Sequence, residues 1–570
     1  MYIESVPNRN SPPAVLLRES YRDENGKVKK RTLANLSCLD PGLIELMRRH
    51  MKGETFVAFG EAFTIIDSKA HGHVDAVLEA MRRLKIAELI DPKPGPERNQ
   101  VMAMIAARIL APHPKLSTLR FWRTTTLPGE LDVQGADDDD LYSAMDWLLE
   151  RQARIEAELA KRHLRKGDAV FYDLSSSYYE GAQCPLAEYG YSRDKKRGKR
   201  QVNYGLVADK DGRPISINAW PGNISDASTF MPTVEKIRDD FGVSEVVLVG
   251  DRGMLSSKNI DELREKEHVG WITALRSSSL RDLVEQSGFQ LGLFDEHNLF
   301  EFTAPEYPGE RLIACRNPFM ATKRARVRQE LLSVTEKDLS KIRDRVAAGR
   351  LKAAGKIGLA VGRVIDRRKM QKHFILEISD GHFDFRRNEE SIAGEAALDG
   401  IYVLRTSVGS GKLDATECVR QYKKLSQVER AFRTMKMVDL QIRPIHHRLE
   451  GRVRAHIFLC MLSYYVEWHM REAWCKLTFA DEDQTLKETR DPVAPAKRSE
   501  GARKKASSKK NADGLIAHSF KSLLADLSTI VRNVCQVPSA TETNQTTFTM
   551  TTTPSTNQQK AFDLMKNIKL

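Results

Sequence analysis

Long apolar runs are missing from this sequence of 570 residues. No stretch approaches the roughly 18 consecutive apolar residues that a membrane-spanning helix requires, so the sequence predicts no transmembrane segment. The seven cysteines are widely scattered and form neither a C-x2-C pair nor a Cys/His cluster, which argues against a zinc site and favours reduced thiols. The opening MYIESVPNRNSPP also lacks the basic–apolar–small order of a signal peptide. We therefore expect a cytoplasmic, nucleoid-associated protein with no membrane partner.

Two common catalytic motifs and an intact nucleotide-binding motif are absent as well. G-x-S-x-G and H-E-x-x-H do not occur in the sequence. GSGK at 409–412 only partly matches a P-loop, because Thr406 stands at the position of the first glycine and Leu413 follows the lysine. The sequence therefore gives no support for ATP or serine-hydrolase chemistry.

Basic charge is what the sequence has in excess. Lysine and arginine number 90 against 77 aspartate and glutamate, which gives a formal net charge of +13. Hydrophobic residues make up 41% and charged residues 29%, proportions that are typical of a globular protein with a sizeable core. A basic surplus of this size indicates a polyanionic partner, most often nucleic acid.

Changes in pattern along the chain predict six regions. Residues 1–66 are β-rich, with two strands around the turn DENG at 23–26, and residues 67–163 have helical periodicity. Strand-like apolar runs predict an α/β core in two parts, 164–276 and 398–480, which a mixed β/α insertion at 277–397 separates. The last stretch, 481–570, is basic and then polar, and we expect it to be poorly ordered. The helical region is as consistent with DNA binding as with simple packing against the core.

Two buried apolar segments of the predicted core each end on an aspartate. DAVFYD ends on Asp173 and EVVLVGD ends on Asp251. A carboxylate directly after a buried strand frequently belongs to a site, because strand ends are rigid and open onto a crevice. Either aspartate alone is equally typical of a loop cap. The two carboxylates meet if the two strands are neighbours in the sheet.

A third carboxylate lies on the predicted helix TECVRQYKKLSQVERAFRTMK. Residues spaced by seven share one helical face, so Tyr422, Glu429 and Lys436 lie together there, with Arg433 one turn beyond the glutamate. A neighbouring apolar stripe would dock this helix on the sheet. Taken alone, Glu429 and Arg433 are more typical of an ordinary solvent-exposed ion pair.

The three carboxylates together would make an all-oxygen site. Such ligands suit Mg²⁺ or Mn²⁺ better than zinc. Two such ions can align a nucleophilic oxygen and a leaving oxygen for in-line attack on phosphorus. We therefore predict that Asp173, Asp251 and Glu429 are the catalytic residues and that they bind two metal ions.

The predicted order β-β-β-α-β-α-β, followed by an insertion and a helix, resembles the RNase H-like core of DDE transposases, with Asp173, Asp251 and Glu429 at the matching points. VLVGDRGM is similar to the family's strand-Asp-x-Gly segment. PGNISDAST is similar to its G-N-x-x-[DE] block, which gives Asn223 and Asp226 supporting roles. The resemblance extends over roughly residues 1–475.

The glutamate helix carries the most specific part of this resemblance. It is similar to the Y-x2-R-x3-E-x6-K signature of one group of insertion-sequence transposases, with Tyr422, Leu425, Glu429 and Lys436 at the four positions. Because leucine replaces the arginine, we expect a neighbouring arginine of the helix to contact the DNA backbone. The basic run at 195–200 lies beside the predicted site and adds further cations. The expected DNA-binding residues are Tyr422, Arg430, Arg433, Lys436, Lys195, Lys196, Arg197, Lys199 and Arg200.

The resemblance implies an α/β fold, an RNase H-like mixed sheet with flanking helices, preceded by N-terminal β and helical regions. It implies cleavage of DNA at transposon ends and strand transfer into target DNA with Mg²⁺ or Mn²⁺. The implied partners are double-stranded terminal inverted repeats, target DNA and a second protomer in the synaptic complex. Two alternatives stay open, a catalytically inactive DNA-binding derivative and an RNase H-like nuclease without strand transfer.

Overall fold

A computed structural model describes residues 1–9, 11–54, 56, 62–286, 298–483, 491–494, 497–537 and 546–570, with backbone alone at 277, 284–286 and 438. The chain divides into two units. The first comprises Met1–Ser68 and Arg532–Thr551, and the second comprises Lys69–Val531 and Thr552–Leu570. Within the described ranges, no helix is long and apolar enough to cross a membrane.

The first unit contains two small sheets and a helix. β1 (Tyr2–Val6), β2 (Ala14–Arg22) and β3 (Val28–Asn35) pair antiparallel in sequence order, and α1 (Pro41–Met51) follows them. Gly26, in the turn between β2 and β3, has a φ of 74°, which glycine adopts without strain. The second sheet has the order β16-β15-β4, from β4 (Thr64–Ala70), β15 (Val531–Gln536) and β16 (Thr547–Thr551).

Helices fill the region after β4. They are α2 (Gly72–Arg83), α3 (Ile86–Ile90), α4 (Pro96–Leu110), α5 (Lys115–Trp122), α6 (Leu127–Glu130), α7 (Asp138–Glu150) and α8 (Gln152–His163). The side chain of Asp137 caps α7 by accepting a hydrogen bond from Asp140 N at 2.9 Å. The middle of α4 is buried and packs against α7, and its side chains join the hydrophobic core of the second unit. The structure thus shows that this region packs against the core, and DNA binding by it stays a prediction.

The main sheet of the second unit has eight strands in the order β10-β11-β14-β9-β8-β5-β6-β7. They are β5 (Ala169–Tyr178), β6 (Gln201–Ala208), β7 (Pro214–Pro221), β8 (Val246–Val249), β9 (Val269–Ala274), β10 (Leu299–Phe302), β11 (Arg311–Arg316) and β14 (Ile401–Thr406). β5, β6 and β7 form an antiparallel meander, and β8 and β9 extend it in parallel with β5. α9 (Phe230–Glu235) and α10 (Ser257–Arg264) lie in the connections that lead to β8 and β9. The order β7-β6-β5-β8-β9 is that of an RNase H-like core, which confirms the predicted fold class.

Part of the segment predicted as an insertion belongs to this sheet. β10 and β11, between 277 and 397, extend it because β11 pairs antiparallel with β14. The remainder has a hydrophobic core of its own. It consists of α12 (Pro318–Ala347), α13 (Ala354–Arg368), β12 (Phe374–Ser379), β13 (His382–Arg387) and α14 (Glu389–Ala397), and α11 (Ser277–Gln286) precedes β10.

The sheet is followed by two long helices and a folded C-terminal stretch. α15 (Ala415–Arg433) continues into a π-helical turn, Thr434–Val438, and α16 (Glu450–Ala473) is largely buried. α17 (Glu500–Ser508), α18 (Phe520–Ser528) and α19 (Thr556–Met565) come after them. The expectation of poor order beyond residue 481 is wrong for these helices, since the Trp474 indole donates to Ala561 O at 3.0 Å and α19 enters the core. Residues 484–490 and 538–545 of this stretch lie outside the described residues.

Candidate active site

The two aspartates come together through the register of two adjacent parallel strands. The last pair between β5 and β8 is Phe171 with Val249, and two residues further along each chain lie Asp173 and Asp251. The prediction that Asp173 ends its strand is wrong, because β5 continues past it in pairing with β6, where Asp173 faces Leu206. Since β8 stops short of this level, the sheet is open on that side of Asp173.

Glu429 lies on α15, the helix that covers this part of the sheet. Asp414 caps α15 by accepting a hydrogen bond from the backbone N–H three residues on. α15 packs against β5, β8 and β9 through a buried stripe that includes Val428 and Phe432, and the Phe432 ring meets Tyr204 edge-on at 5.8 Å. Glu429 lies beside the stripe and is exposed. The apolar contacts of the helix therefore determine where the glutamate is presented.

Electrostatic interactions show that the three carboxylates share one environment, which we call the carboxylate cluster (Asp173, Asp251 and Glu429). Burial raises the pKa of Asp173 to about 7, and the carboxylates of Asp251 and Glu429 contribute to the rise. The backbone N–H of the next residue and the Arg193 guanidinium oppose this rise. Burial and the same carboxylates also raise the pKa of the half-buried Tyr422 to about 12. The structure therefore brings Tyr422 next to the three predicted catalytic residues.

A glycine and a fourth carboxylate complete this neighbourhood. Gly253 N donates to the Asp251 carboxylate. A Cβ built on Gly253 would lie 2.9 Å from Asp251 Oδ1 and 3.9 Å from Asp226 Oδ2, so a side chain at this position would crowd both carboxylates. Asp226 accepts a hydrogen bond from Arg193 Nη2 at 2.6 Å, whereas Asn223 is exposed. The two predicted supporting residues thus differ, since only Asp226 has this contact with the site.

The donor atoms of the carboxylate cluster fit a hard divalent cation. They are carboxylate oxygens, the ligands that Mg²⁺ and Mn²⁺ prefer. The ion pairs found among the described residues leave out Asp173, Asp251 and Glu429, and the nearby Arg193 pairs with Asp226 instead. Negative charge is therefore left uncompensated. In the described ranges, no three Asp, Glu, His or Cys side chains lie close enough to hold one ion together.

A basic loop, residues 191–200 between β5 and β6, is fixed beside the carboxylate cluster by one buried acid. The Asp194 carboxylate accepts from Lys436 Nζ at 2.8 Å and from Arg443. It also lies 3.3 Å from Tyr178 N, which donates to it. These contacts join the loop to β5 and to the segment that follows α15.

The predicted DNA-binding residues fall into two groups. Lys436 is only 8% exposed, and its ammonium donates to Ser175 Oγ at 3.1 Å as well as to the loop acid. The expected DNA contact at Lys436 is therefore corrected to a structural one, because its buried ammonium is paired with Asp194. The second group is exposed or half-exposed and comprises Tyr422, Lys195, Lys196, Arg197, Lys199, Arg200, Arg430 and Arg433.

Sequence reasoning missed three residues of the site. Arg193 pairs with Asp226, Asp194 anchors the basic loop, and Arg252 lowers the pKa of Tyr422 in opposition to the carboxylates. Asp194 had a recognisable signal, since it is the one acid within a run of six cations at 193–200. The other two had none, because their importance depends on contacts between distant segments.

Residues 166–466, more than half of the chain, match the family described as "Transposase DDE domain". The chain belongs to this family of DDE transposases. Residues 3–58 match the "IS1634 family transposase, N-terminal domain". The resemblance to insertion-sequence transposases is thereby confirmed, and the protein is an enzyme that cleaves and transfers DNA strands. Members of the family generally use divalent metal ions, and DNA is their partner.

Other comparisons add little to the transposase assignment. A solved structure, the cryo-EM structure of a piggyBac transposase synaptic complex with hairpin DNA, is 9% identical to this chain. The alignment covers 80% of this chain and 77% of that chain, with a TM-score of 0.34. This overlap is too slight for comparing individual residues. No curated protein matches the chain significantly.

Proposed function

We propose that Asp173, Asp251 and Glu429 form the catalytic site of the transposase and bind two Mg²⁺ or Mn²⁺ ions. The observation that carries the proposal is the shared register of the two aspartates, with Glu429 of α15 acting on the same aspartate. Asp173, which interacts with both other carboxylates, would be one of the residues that hold the ions. When bound, the ions supply Lewis-acid activation of the phosphoryl group.

The protein's own residues would position the reacting DNA. The carboxylate cluster presents oxygen donors from rigid elements, because β5 pairs with β8 up to Phe171 and with β6 beyond it, and α15 is docked by its apolar stripe. Tyr422 stays protonated at neutral pH, so its hydroxyl can donate a hydrogen bond to a phosphate oxygen. Gly253 leaves space beside Asp251 for a close approach of the DNA backbone.

We further propose that a duplex end lies along the basic loop and the exposed arginines of α15. Lys195, Lys196 and Arg197 are exposed beside the carboxylate cluster, and the loop also presents Tyr191, which is 79% exposed. Cations interleaved with an exposed aromatic side chain suit contacts with both phosphates and bases. Because transposition joins two ends, the active synaptic complex would contain two copies of the chain.

The proposal is tested by removing one carboxylate at a time. Asp173→Asn, Asp251→Asn and Glu429→Gln should each reduce cleavage of a duplex that carries the terminal inverted repeat by about a thousandfold or more, a loss typical of essential catalytic groups. Binding of the same duplex should survive. Glu417→Gln, in the first turn of α15, is the matched control and should cleave normally. Wild-type cleavage by one of the three variants would remove that residue from the site.

The cleavage products distinguish the remaining alternatives. Joining of the cut end to a target plasmid supports transposition, whereas cleavage without joining supports a nuclease. Metal-independent binding with no cleavage under any divalent ion supports a DNA-binding derivative. The DNA that flanks the coding region supplies the terminal repeat for these experiments.

A further inference from the structure

Four basic side chains meet away from the carboxylate cluster, where the helical region packs against the segment around α16. They are Arg108 on α4, Lys115 at the start of α5, His447 between α15 and α16, and His456 on α16. Arg108, Lys115 and His456 are 7%, 5% and 6% exposed, and His447 is half-buried. The rings of the two histidines lie 5.2 Å apart. We call these four residues the basic cluster.

Much of the hydrogen-bonding capacity in the basic cluster is unused. Arg108 Nη1 donates to Leu440 O at 3.4 Å, and the His456 ring bonds Ile442 O through Nε2 at 3.0 Å. His456 Nδ1 is enclosed and has no partner. Lys115 forms no hydrogen bond or ion pair with any residue that the structure describes, and its ammonium is not one of the fully enclosed atoms. The Lys115 side chain is thus 5% exposed and has no partner among the described residues.

No carboxylate within the described ranges pairs with the basic cluster. The nearest ion pair joins Arg452, at the edge of the cluster, to Asp146 at 3.2 Å. Burial lowers the pKa of Lys115 to about 7 and that of His447 to about 3, and the Arg108 guanidinium contributes to both shifts. A buried cation without a partner costs several kcal/mol, on the order of a broken buried ion pair. A bound anion would offset that cost.

The segment at 439–449 connects the basic cluster to the basic loop. Arg443 pairs with Asp194 of the loop, and Ile445 N donates to Tyr178 O at 3.3 Å. Two residues later, His447 enters the basic cluster. One short stretch of chain therefore joins the two sites.

We propose that the basic cluster is a phosphate-binding site that takes a backbone phosphodiester of the bound duplex. The inference rests on the proposed function, since it requires DNA along the basic loop. Arg108 and Lys115 supply charge and donors, and the neutral imidazoles of His447 and His456 each supply an N–H. α5 begins at Lys115 without a side-chain cap, so its first backbone N–H groups add to the same positive end.

The test compares the salt dependence of duplex binding in four forms of the full chain. They are the wild type, Lys115→Met, the charge-conserving Lys115→Arg, and Lys93→Met, which removes an exposed lysine elsewhere on the same unit. Affinity for the terminal-repeat duplex is measured by fluorescence anisotropy over a range of salt concentrations. Lys115→Met should weaken binding and reduce the slope of log K against log salt by about 1, the value for one lost phosphate contact. Lys115→Arg and Lys93→Met should keep the wild-type slope.

A second measurement identifies the source of the phosphate. Inorganic phosphate, compared with chloride at equal ionic strength, should raise the unfolding temperature of the wild type and leave that of Lys115→Met unchanged. If this protection is found but the duplex slope of Lys115→Met equals that of the wild type, the site takes free phosphate and the DNA inference is overturned. If neither effect is found, the site binds no phosphate.

Failure of this inference is distinguishable from failure of the proposed function. In the first case the wild type still cleaves the terminal-repeat duplex and Asp173→Asn does not. In the second case the wild type does not cleave at all. Lys115→Gln provides a second neutral variant, and circular dichroism checks that each variant is folded. Both neutral variants should fold, because they remove a buried charge that has no partner.

Discussion

The carboxylate cluster and the basic cluster are regions of opposite charge that share one property. Each contains a buried or half-buried charged group, Asp173 in the first and Lys115 in the second, that the ion pairs of the described residues leave out. Elsewhere the same chain compensates buried charge carefully. Glu310 is 3% exposed, and Arg264 and Arg405 both bind its carboxylate, Arg264 at 2.6 Å. The two clusters differ from Glu310 in that their charges are unpaired where we expect a ligand of opposite sign. That ligand is a metal cation at the carboxylate cluster and a phosphate at the basic cluster.

The largest effect should come from replacing one proposed metal ligand of the carboxylate cluster by a thiol. Asp251→Cys should lose about a thousandfold or more of its cleavage activity with Mg²⁺ and recover at least about tenfold with Mn²⁺, because thiolate is a softer ligand than carboxylate. Cleavage of the terminal-repeat duplex with each ion measures this. Equal inactivity with both ions would show that Asp251 acts in some other way, and Asp251→Asn is the control that should not recover.

The next effect concerns Asp194, the buried acid that pairs with Lys436 and Arg443. Asp194→Asn should lower the free energy of unfolding by about 3 kcal/mol, because it leaves Lys436 and Arg443 buried without their partner. Urea denaturation measures the loss. Glu158→Gln should change stability little, because its side chain is 40% exposed and its cations lie 3.9 Å away. A similarly small loss of unfolding free energy for Asp194→Asn would show that its ion pairs stabilise the protein no more than weak surface pairs do.

In the basic cluster, the lowered pKa of Lys115 should make the free energy of unfolding depend on pH. Its pKa is lowered to about 7 in the folded chain, so between about pH 7 and 10.5 the unfolded lysine binds a proton that the folded one does not. The stability of the wild type therefore rises with pH in this window. In phosphate-free buffer, Lys115→Met should be more stable than the wild type by about 2 kcal/mol at pH 7, and the gap should narrow towards pH 10. A gap that is constant with pH would contradict an uncompensated Lys115.

The smallest effect should come from the exposed basic loop. Replacing Lys195 or Arg197 by glutamine should leave folding unchanged and reduce the salt slope of duplex binding by about 1 each. Anisotropy titrations of the single variants and the double variant measure this. The reduction in salt slope of the double variant should equal the sum of the two single reductions, because both side chains are exposed and would bind phosphate independently. An unchanged slope in the double variant would place the duplex elsewhere.

Much of the catalytic core could be predicted from local pattern. Apolar runs indicated the strands that carry Asp173 and Asp251, and a spacing of seven placed Tyr422 on the same helical face as Glu429. The fold class followed from the order of these elements. The strand end at Asp173 was predicted wrongly, because hydrophobicity indicates where burial stops, whereas pairing with β6 continues through the polar residues beyond.

Contacts between distant segments could not be predicted. Lys436 is the last residue of the signature that begins on α15. Whether it contacts DNA or Asp194 depends on how the basic loop folds, and Asp194 lies 242 positions earlier in the chain (436 − 194). The polar tail also looked disordered by composition, yet Ala561 lies against Trp474 in the core. A few apolar residues at helical spacing are enough to dock such a segment once a partner surface exists.

The sequence by itself determined that this protein is basic, that it has an α/β core with three carboxylates, and that it resembles a transposase, because composition, periodicity and spacing are local properties of the chain. Only the tertiary structure decided which charges are paired. Strand register placed Asp173 level with Asp251, and a loop acid paired with Lys436. Helix packing gathered Arg108 and Lys115, with which no carboxylate of the described residues pairs. Electrostatic compensation depends on distances of a few ångströms between remote residues, and those distances exist only after the chain has folded.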